Sequence, residues 1–480
     1  MAGQAAKIAI QVLSVVILAR LLAPSDYGLL VMVTAVIGVT DIFRDFGLSS
    51  AAIQAPVLSR KEQINLFWLN TGLGSTLSLI TFLAAPALAA FYGRPELIPL
   101  THVMSGMFLI NGLATQYRAD LSRRMLFRRL ALADVSGSAV GLVVAVTMAS
   151  HGFGVWSLAA QQLTQLAVML ALVVIGAGWL PRLYDRSVSV RHFLGFGWRL
   201  AGSQLVVYVG NNIDTVMLGL RVNTASLGLY NRAYQLVMQP LGQIRGPLNT
   251  VAIPVLSQLQ DEEERFNQFV VRGQIALGYT LVAALAFVAG TASPIVGIFL
   301  GSDWVGATNV LRLLAVAGGI TTLPSVCYWV YVTKGLISHL LHFTFISTGL
   351  RIVLVVIGVQ FGVLGVAAAM AASPMIAWPL SIWWLSRRAS IPVTSLWMGG
   401  LRIIAFCSVI LASCLSVEFA TRGLPDVARL ALGAVAAAAV YTILVAIIPA
   451  FRRDVGGVVA VVRLAFSRQR PGRAADTHQA

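Results

Sequence analysis

Long apolar runs separated by short polar loops set the rhythm of the chain. The run LGAVAAAAVYTILVAII (432–448) has no alternation of apolar and polar positions, so it reads as a spanning helix and not as a barrel strand. A window of about 19 residues, matched to the hydrocarbon core of a bilayer, gives fourteen spans. They lie near 4–22, 27–52, 65–91, 97–117, 130–150, 153–176, 193–219, 227–257, 267–300, 305–333, 336–360, 363–386, 393–418 and 427–449. Turn residues punctuate the runs, as in APSDYG at 23–28 and YGRP at 92–95. The expected fold class is an all-α polytopic membrane protein of about 14 transmembrane helices.

The pattern repeats. FGVWSLAA at 153–160 matches FGVLGVAA at 361–368, 208 positions on, and the same displacement sets Gly141 against Gly349. A second match, 200 positions apart, puts Gly28-Leu29 beside Gly228-Leu229 at the starts of the second and eighth spans. Two six-helix lobes are therefore expected, at 1–192 and 193–392, followed by two extra helices at 393–449 and a basic tail at 450–480. An even number of spans per lobe makes the repeat parallel, with its pseudo-two-fold along the membrane normal. At displacement 200, Asp45 aligns with Arg245.

Composition agrees with the pattern. Of 480 residues, 58% are hydrophobic and 11% charged, more apolar surface than a soluble fold of this size can bury. The net charge of +16 gathers in alternate loops, which follows the positive-inside rule and leaves no need for a nucleic-acid partner. Those loops carry Arg60 and Lys61; Arg118, Arg123, Arg124, Arg128 and Arg129; Arg182, Arg186 and Arg191; Arg387 and Arg388. Both termini are expected on the cytoplasmic side of the membrane. Cys327, Cys407 and Cys414 lie in apolar runs without metal spacing, so neither metal nor cofactor is expected.

The segments LARLLAPSDYG (18–28), FGLSSAAIQ (46–54), FGVWSLAAQ (153–161), LGLYNRAYQL (227–236) and IPVLSQLQ (253–260) resemble the polysaccharide transporter family. That family belongs to the multidrug/oligosaccharidyl-lipid/polysaccharide exporter superfamily, and the likeness is to its Wzx-type lipopolysaccharide and exopolysaccharide flippases. The resemblance implies two lobes around a central cavity that opens alternately to either side. It implies a lipid-linked oligosaccharide substrate on an undecaprenyl-pyrophosphate carrier; H⁺ or Na⁺ as coupling ion and contact with polysaccharide polymerase machinery are further expectations.

Such a substrate needs a wet, cationic route for its pyrophosphate and glycan. Arginine suits phosphate because its planar fork donates paired hydrogen bonds and stays charged. Arg44, Arg245 and Arg351 sit well inside their spans and form the expected phosphate-binding set, with Arg232 in a vestibule at the opposite end. Asp41, Arg44 and Asp45 share a helix face, so Arg44 has a second reading as the neutralised partner of either acid. Asp41, Asp45 and Asp214 are the ion-coupling candidates, because a buried carboxylate takes up a proton readily. Pro240, Pro247 and Pro254 recur every seven residues, which predicts bends in the eighth span. GxxxG occurs at Gly137–Gly141, Gly242–Gly246 and Gly358–Gly362 and permits close helix contact.

Rival classes fit less well. A membrane polymerase or transferase would need a large extramembrane loop, and the spacing leaves none. A multidrug exporter of the same superfamily would prefer an acidic, aromatic cavity. A lipid II flippase would use the same chemistry on another glycan.

Overall fold

Apolar runs of this length satisfy their backbone in hydrocarbon through the internal hydrogen bonds of a helix, and the computed structural model folds them so. The structure describes residues 2–45, 59–185 and 208–456, and their regular structure is helical. In chain order come α1 (Ala2–Leu21), α2 (Pro24–Asp45), α3 (Arg60–Tyr92), α4 (Leu97–Arg123), α5 (Phe127–Ser150) and α6 (Val155–Ala177). Residues 208–221 form α7, followed by α8 (Thr224–Gln258) and α9 (Glu263–Leu277). A π-helical turn (Gly278–Val282) leads to α10 (Ala283–Gly290) and α11 (Ala292–Phe299). A 3₁₀ turn (Ser302–Ala307) precedes α12 (Thr308–Thr322), α13 (Ser325–Thr333) and α14 (Ile337–Gly358). The chain continues through α15 (Gly362–Ser386), α16 (Val393–Ala420) and α17 (Asp426–Ile447). Nine helices among the described residues are long and apolar enough to cross a membrane.

Three expectations are refined. The ninth predicted span is not one helix: it loosens into the π turn and breaks at Thr291 before α11. The fourth helix runs past its predicted span to Arg123, so Arg118 and Arg123 of the basic cluster lie in its last turns and Arg128 and Arg129 in the first turn of α5. Of the GxxxG pairs, Gly137–Gly141 packs against α6; a Cβ on Gly242 or Gly246 would meet open space, and Gly362 follows a turn at φ 71°.

Contacts group the chain into two compact units. The first comprises Met1–Arg232, Phe299–Gly306 and Val355–Val366; the second comprises Ala233–Ile298, Ala307–Leu354 and Ala367–Ala480. In the first unit, Ser59 and Glu62 form a capping box that starts α3, supplying partners for backbone donors a helix leaves open. Behind it, Phe67, Tyr117, Leu121, Met169, Val173 and Trp179 build a packed core. The second unit centres on Phe266, Trp329, Trp378 and Phe406, and all three cysteines are buried there. An ion pair of 2.8 Å between Arg312 and Glu418 ties α12 to α16.

Candidate functional site

Two corners of the chain share a backbone bond and each adds one side-chain bond, run in opposite directions. At the first, the Leu22 amide donates to the Leu18 carbonyl at 3.0 Å; at the second, the Val222 amide donates to Leu218 at 2.8 Å. The Asp26 carboxylate accepts from the Ala23 amide at 3.1 Å, and the Asn223 side chain accepts from the Ser226 amide at 2.8 Å. These local bonds start α2 and α8 by satisfying backbone donors at the helix N-terminus.

Both corners lie in the first unit, and there they meet reciprocally. A Cβ on Gly28 would run into the Thr224 carbonyl, and a Cβ on Gly228 would run into the Pro24 carbonyl. Residue and partner exchange places under a shift of 200 positions, as in a two-fold contact. Only glycine permits backbones this close. Burial repeats with the same shift: Leu18 and Leu218, Tyr27 and Leu227, Leu30 and Tyr230, Val33 and Ala233, and Ile37 and Val237 are all buried.

The charged candidates lie close to this crossing or beyond it. Arg232 is buried, 6% exposed, and its guanidinium stacks 3.7 Å over the Tyr27 ring. Tyr27 in turn meets Trp304 edge-on at 5.3 Å, and the Trp304 indole donates to the Ala19 carbonyl at 2.7 Å. Asp214 on α7 is buried and accepts a hydrogen bond from the Tyr230 hydroxyl. Thus Arg232 and Asp214 both belong to the first unit, while Arg245 and Arg351 belong to the second. Arg245 is half-buried on α8 and donates from Nη2 to the Thr322 hydroxyl at 3.3 Å; Arg351 is half-buried on α14. Asp41, Arg44 and Asp45 fall in the last turns of α2, and their side chains lie outside the described residues.

Beside α2 the surroundings are apolar. A cavity of about 480 Å³ opens between α2, α3 and α7, lined by Ala35, Val36, Ala84, Phe91, Val209 and Ile213 among others. The Tyr208 hydroxyl at its edge donates to the Ala35 carbonyl at 3.1 Å.

The middle of α8 is different. Asn231, Gln235, Gln239 and Gln243 follow one another at steps of four, which puts four amides on one helix face. Gln239, Gly242, Gln243 and Gly246 are exposed. Amides exposed at mid-helix are costly in hydrocarbon and settle against water. Sequence reading overlooked this stripe, because a hydropathy window averages four amides with the apolar residues between them; their four-residue spacing was the signal.

Residues 17–309 match the polysaccharide biosynthesis protein family. The chain is 26% identical over 357 residues to the lipopolysaccharide biosynthesis protein WzxC of Escherichia coli (strain K12), covering 73% of this chain and 72% of that protein. It is 26% identical to the succinoglycan biosynthesis transport protein ExoT of Rhizobium meliloti (strain 1021), over 64% of this chain and 63% of the relative. The fold is similar to that of the lipid II flippase MurJ in an inward closed conformation, with a TM-score of 0.72 at 14% identity, covering 92% of this chain and 96% of that one.

Proposed function

From the premise that this chain belongs to the polysaccharide biosynthesis protein family, we propose that it is a multi-pass flippase for lipid-linked oligosaccharide. It carries an undecaprenyl-pyrophosphate-linked glycan from the cytoplasmic to the periplasmic leaflet of the inner membrane, for lipopolysaccharide or exopolysaccharide synthesis. The observation that carries this reading is the pair of exposed amides on α8, Gln239 and Gln243, with the half-buried Arg245 two residues further along the same helix. Amides offer hydrogen bonds to sugar hydroxyls, and the guanidinium offers charge to pyrophosphate. The lipid tail stays in hydrocarbon and needs no such lining.

The two halves at 1–192 and 193–392 move against each other in this account, and the reciprocal glycine crossing of α2 and α8 is a seal at the end remote from the basic loops. Arg44, Arg245 and Arg351 hold the anionic group, and Arg232 anchors the crossing through Tyr27. Asp41, Asp45 and Asp214 are the carboxylates that exchange H⁺ or Na⁺. Both termini face the cytoplasm.

The experiment is flipping of a fluorescent undecaprenyl-pyrophosphate glycan in proteoliposomes. The wild-type chain accelerates flipping over protein-free liposomes, and Arg44→Ala, Arg245→Ala and Arg351→Ala each slow it. Wild-type flipping no faster than protein-free liposomes would refute the reading. If Asp41→Asn, Asp45→Asn and Asp214→Asn all keep the gradient dependence, coupling resides elsewhere.

A further inference from the structure

The first unit holds a second, polar cavity, separate from the apolar one beside α2. It occupies about 280 Å³ between α1, α4, α5 and α6, and its polar lining is Lys7, Asn111, Thr115, Arg118, Asp134 and Gln165. Glycines set its width. A Cβ on Gly137 would come within 2.6 Å of the Gln165 carbonyl, and one on Gly141 within 2.8 Å of the Gln161 carbonyl. With α5 and α6 backbones so close, Asp134 is held one turn before Gly137, at the cavity wall. Asn111, Thr115 and Arg118 follow at helical spacing along one face of α4. On the neighbouring turns, Gln161 donates to the Ser14 hydroxyl at 2.8 Å and so extends the polar seam between α6 and α1.

The charges in this cavity do not balance. Arg118 and Asp134 form a two-pronged pair, Nη1 to Oδ1 at 2.6 Å and Nη2 to Oδ2 at 3.3 Å, which engages both carboxylate oxygens. Lys7 is left over: among the described residues no carboxylate pairs with it, while its side chain is half-buried and lines the same space. A half-buried cation is retained where a counter-charge or water compensates its lost hydration. The remaining groups supply donors, namely the Lys7 ammonium, the amide nitrogens of Asn111 and Gln165 and the guanidinium hydrogens that Asp134 does not take, with the two amide oxygens as acceptors.

We propose that this cavity is a binding site for one small oxyanion of the phosphate class, held by Lys7 with the Arg118–Asp134 pair and the two amides. The volume accommodates a phosphate with a few waters, each needing about 30 Å³, and is too narrow for an oligosaccharide. The site stands whether or not the chain moves a glycan carrier. The bound group is either free phosphate or the headgroup of an anionic phospholipid reaching in from the basic loop between α4 and α5, where the two sources share one chemistry.

The test uses the full chain carrying Thr115→Cys, with the three buried native cysteines in place, in phosphatidylcholine nanodiscs. The readout is the rate at which the new thiol reacts with an anionic and with a cationic methanethiosulfonate reagent. The site predicts a rate ratio of at least tenfold in favour of the anionic reagent. Lys7→Gln brings the ratio towards one and Lys7→Arg preserves it, which separates charge from fold. Protection by millimolar inorganic phosphate identifies a free anion; protection by phosphatidylglycerol in the disc, without phosphate, identifies a lipid headgroup. Equal reagent rates, a ratio unchanged in Lys7→Gln, or absence of protection by both probes overturns the proposal.

Discussion

α2 and α8 begin alike and end differently. Each follows a corner with the same backbone hydrogen bond, each starts with a Gly-Leu pair, and each buries the same positions through its first three turns. Beyond that, α2 sets Ala35 and Val36 beside an apolar cavity, whereas α8 presents Gln239 and Gln243 and carries three prolines. The difference teaches that a repeat preserves what packing needs and releases what function needs. The crossing has to fit backbone against backbone, so both copies keep glycine; the faces further along are free to become one dry and one wet wall.

The largest expected effect tests the shared part. Gly28→Leu and Gly228→Leu each push a side chain into a carbonyl of the other corner, where overpacking costs about 1–3 kcal/mol or more. Folded yield by size-exclusion and flipping both fall at least tenfold, and the two variants fall together. A harmless substitution at one glycine with collapse at the other breaks the reciprocity.

The next prediction tests the wet wall. Arg245→Ala removes a charge-assisted partner worth about 1.5–3 kcal/mol, so flipping drops on the order of tenfold to a hundredfold, while Arg245→Lys recovers part of it. Normal flipping by the alanine variant removes Arg245 from the substrate route.

Accessibility then separates the walls directly. Gln239→Cys on α8 reacts with a membrane-impermeant thiol reagent, and Val36→Cys on α2 reacts at least tenfold more slowly. Equal rates erase the contrast.

The smallest effect concerns the stack under the crossing. Tyr27→Phe keeps a ring beneath Arg232 and leaves flipping nearly unchanged; Tyr27→Leu loses a cation–π contact worth about 0.5–2 kcal/mol and slows flipping several-fold. A phenylalanine variant as weak as leucine would assign the role to the hydroxyl instead.

Much of the fold was legible because hydropathy and turn residues act locally. The corner at Pro24 and the turn at Gly93 follow from nearby sequence, whereas the capping box at Ser59 starts α3 five residues ahead of its apolar run. The Gly28/Gly228 match was visible as a repeat, but its meaning as a backbone crossing was not, since proximity across 200 positions has no local signature. Arg118 was assigned to a loop because a cluster of arginines marks a helix end; only the position of Asp134 across the cavity shows that the first of them turns inward. The amide stripe escaped for the opposite reason: its signal was periodic, and averaging over a window erased it.

The most direct measurement is substrate protection on α8. The Gln243→Cys variant in nanodiscs is labelled with a water-soluble thiol reagent in the presence of undecaprenyl-pyrophosphate glycan or of undecaprenol alone. The account predicts that the glycan carrier slows labelling at least fivefold and that undecaprenol leaves it unchanged. Labelling equally fast with both ligands would contradict the claim that this face of α8 lines the path of the anionic headgroup.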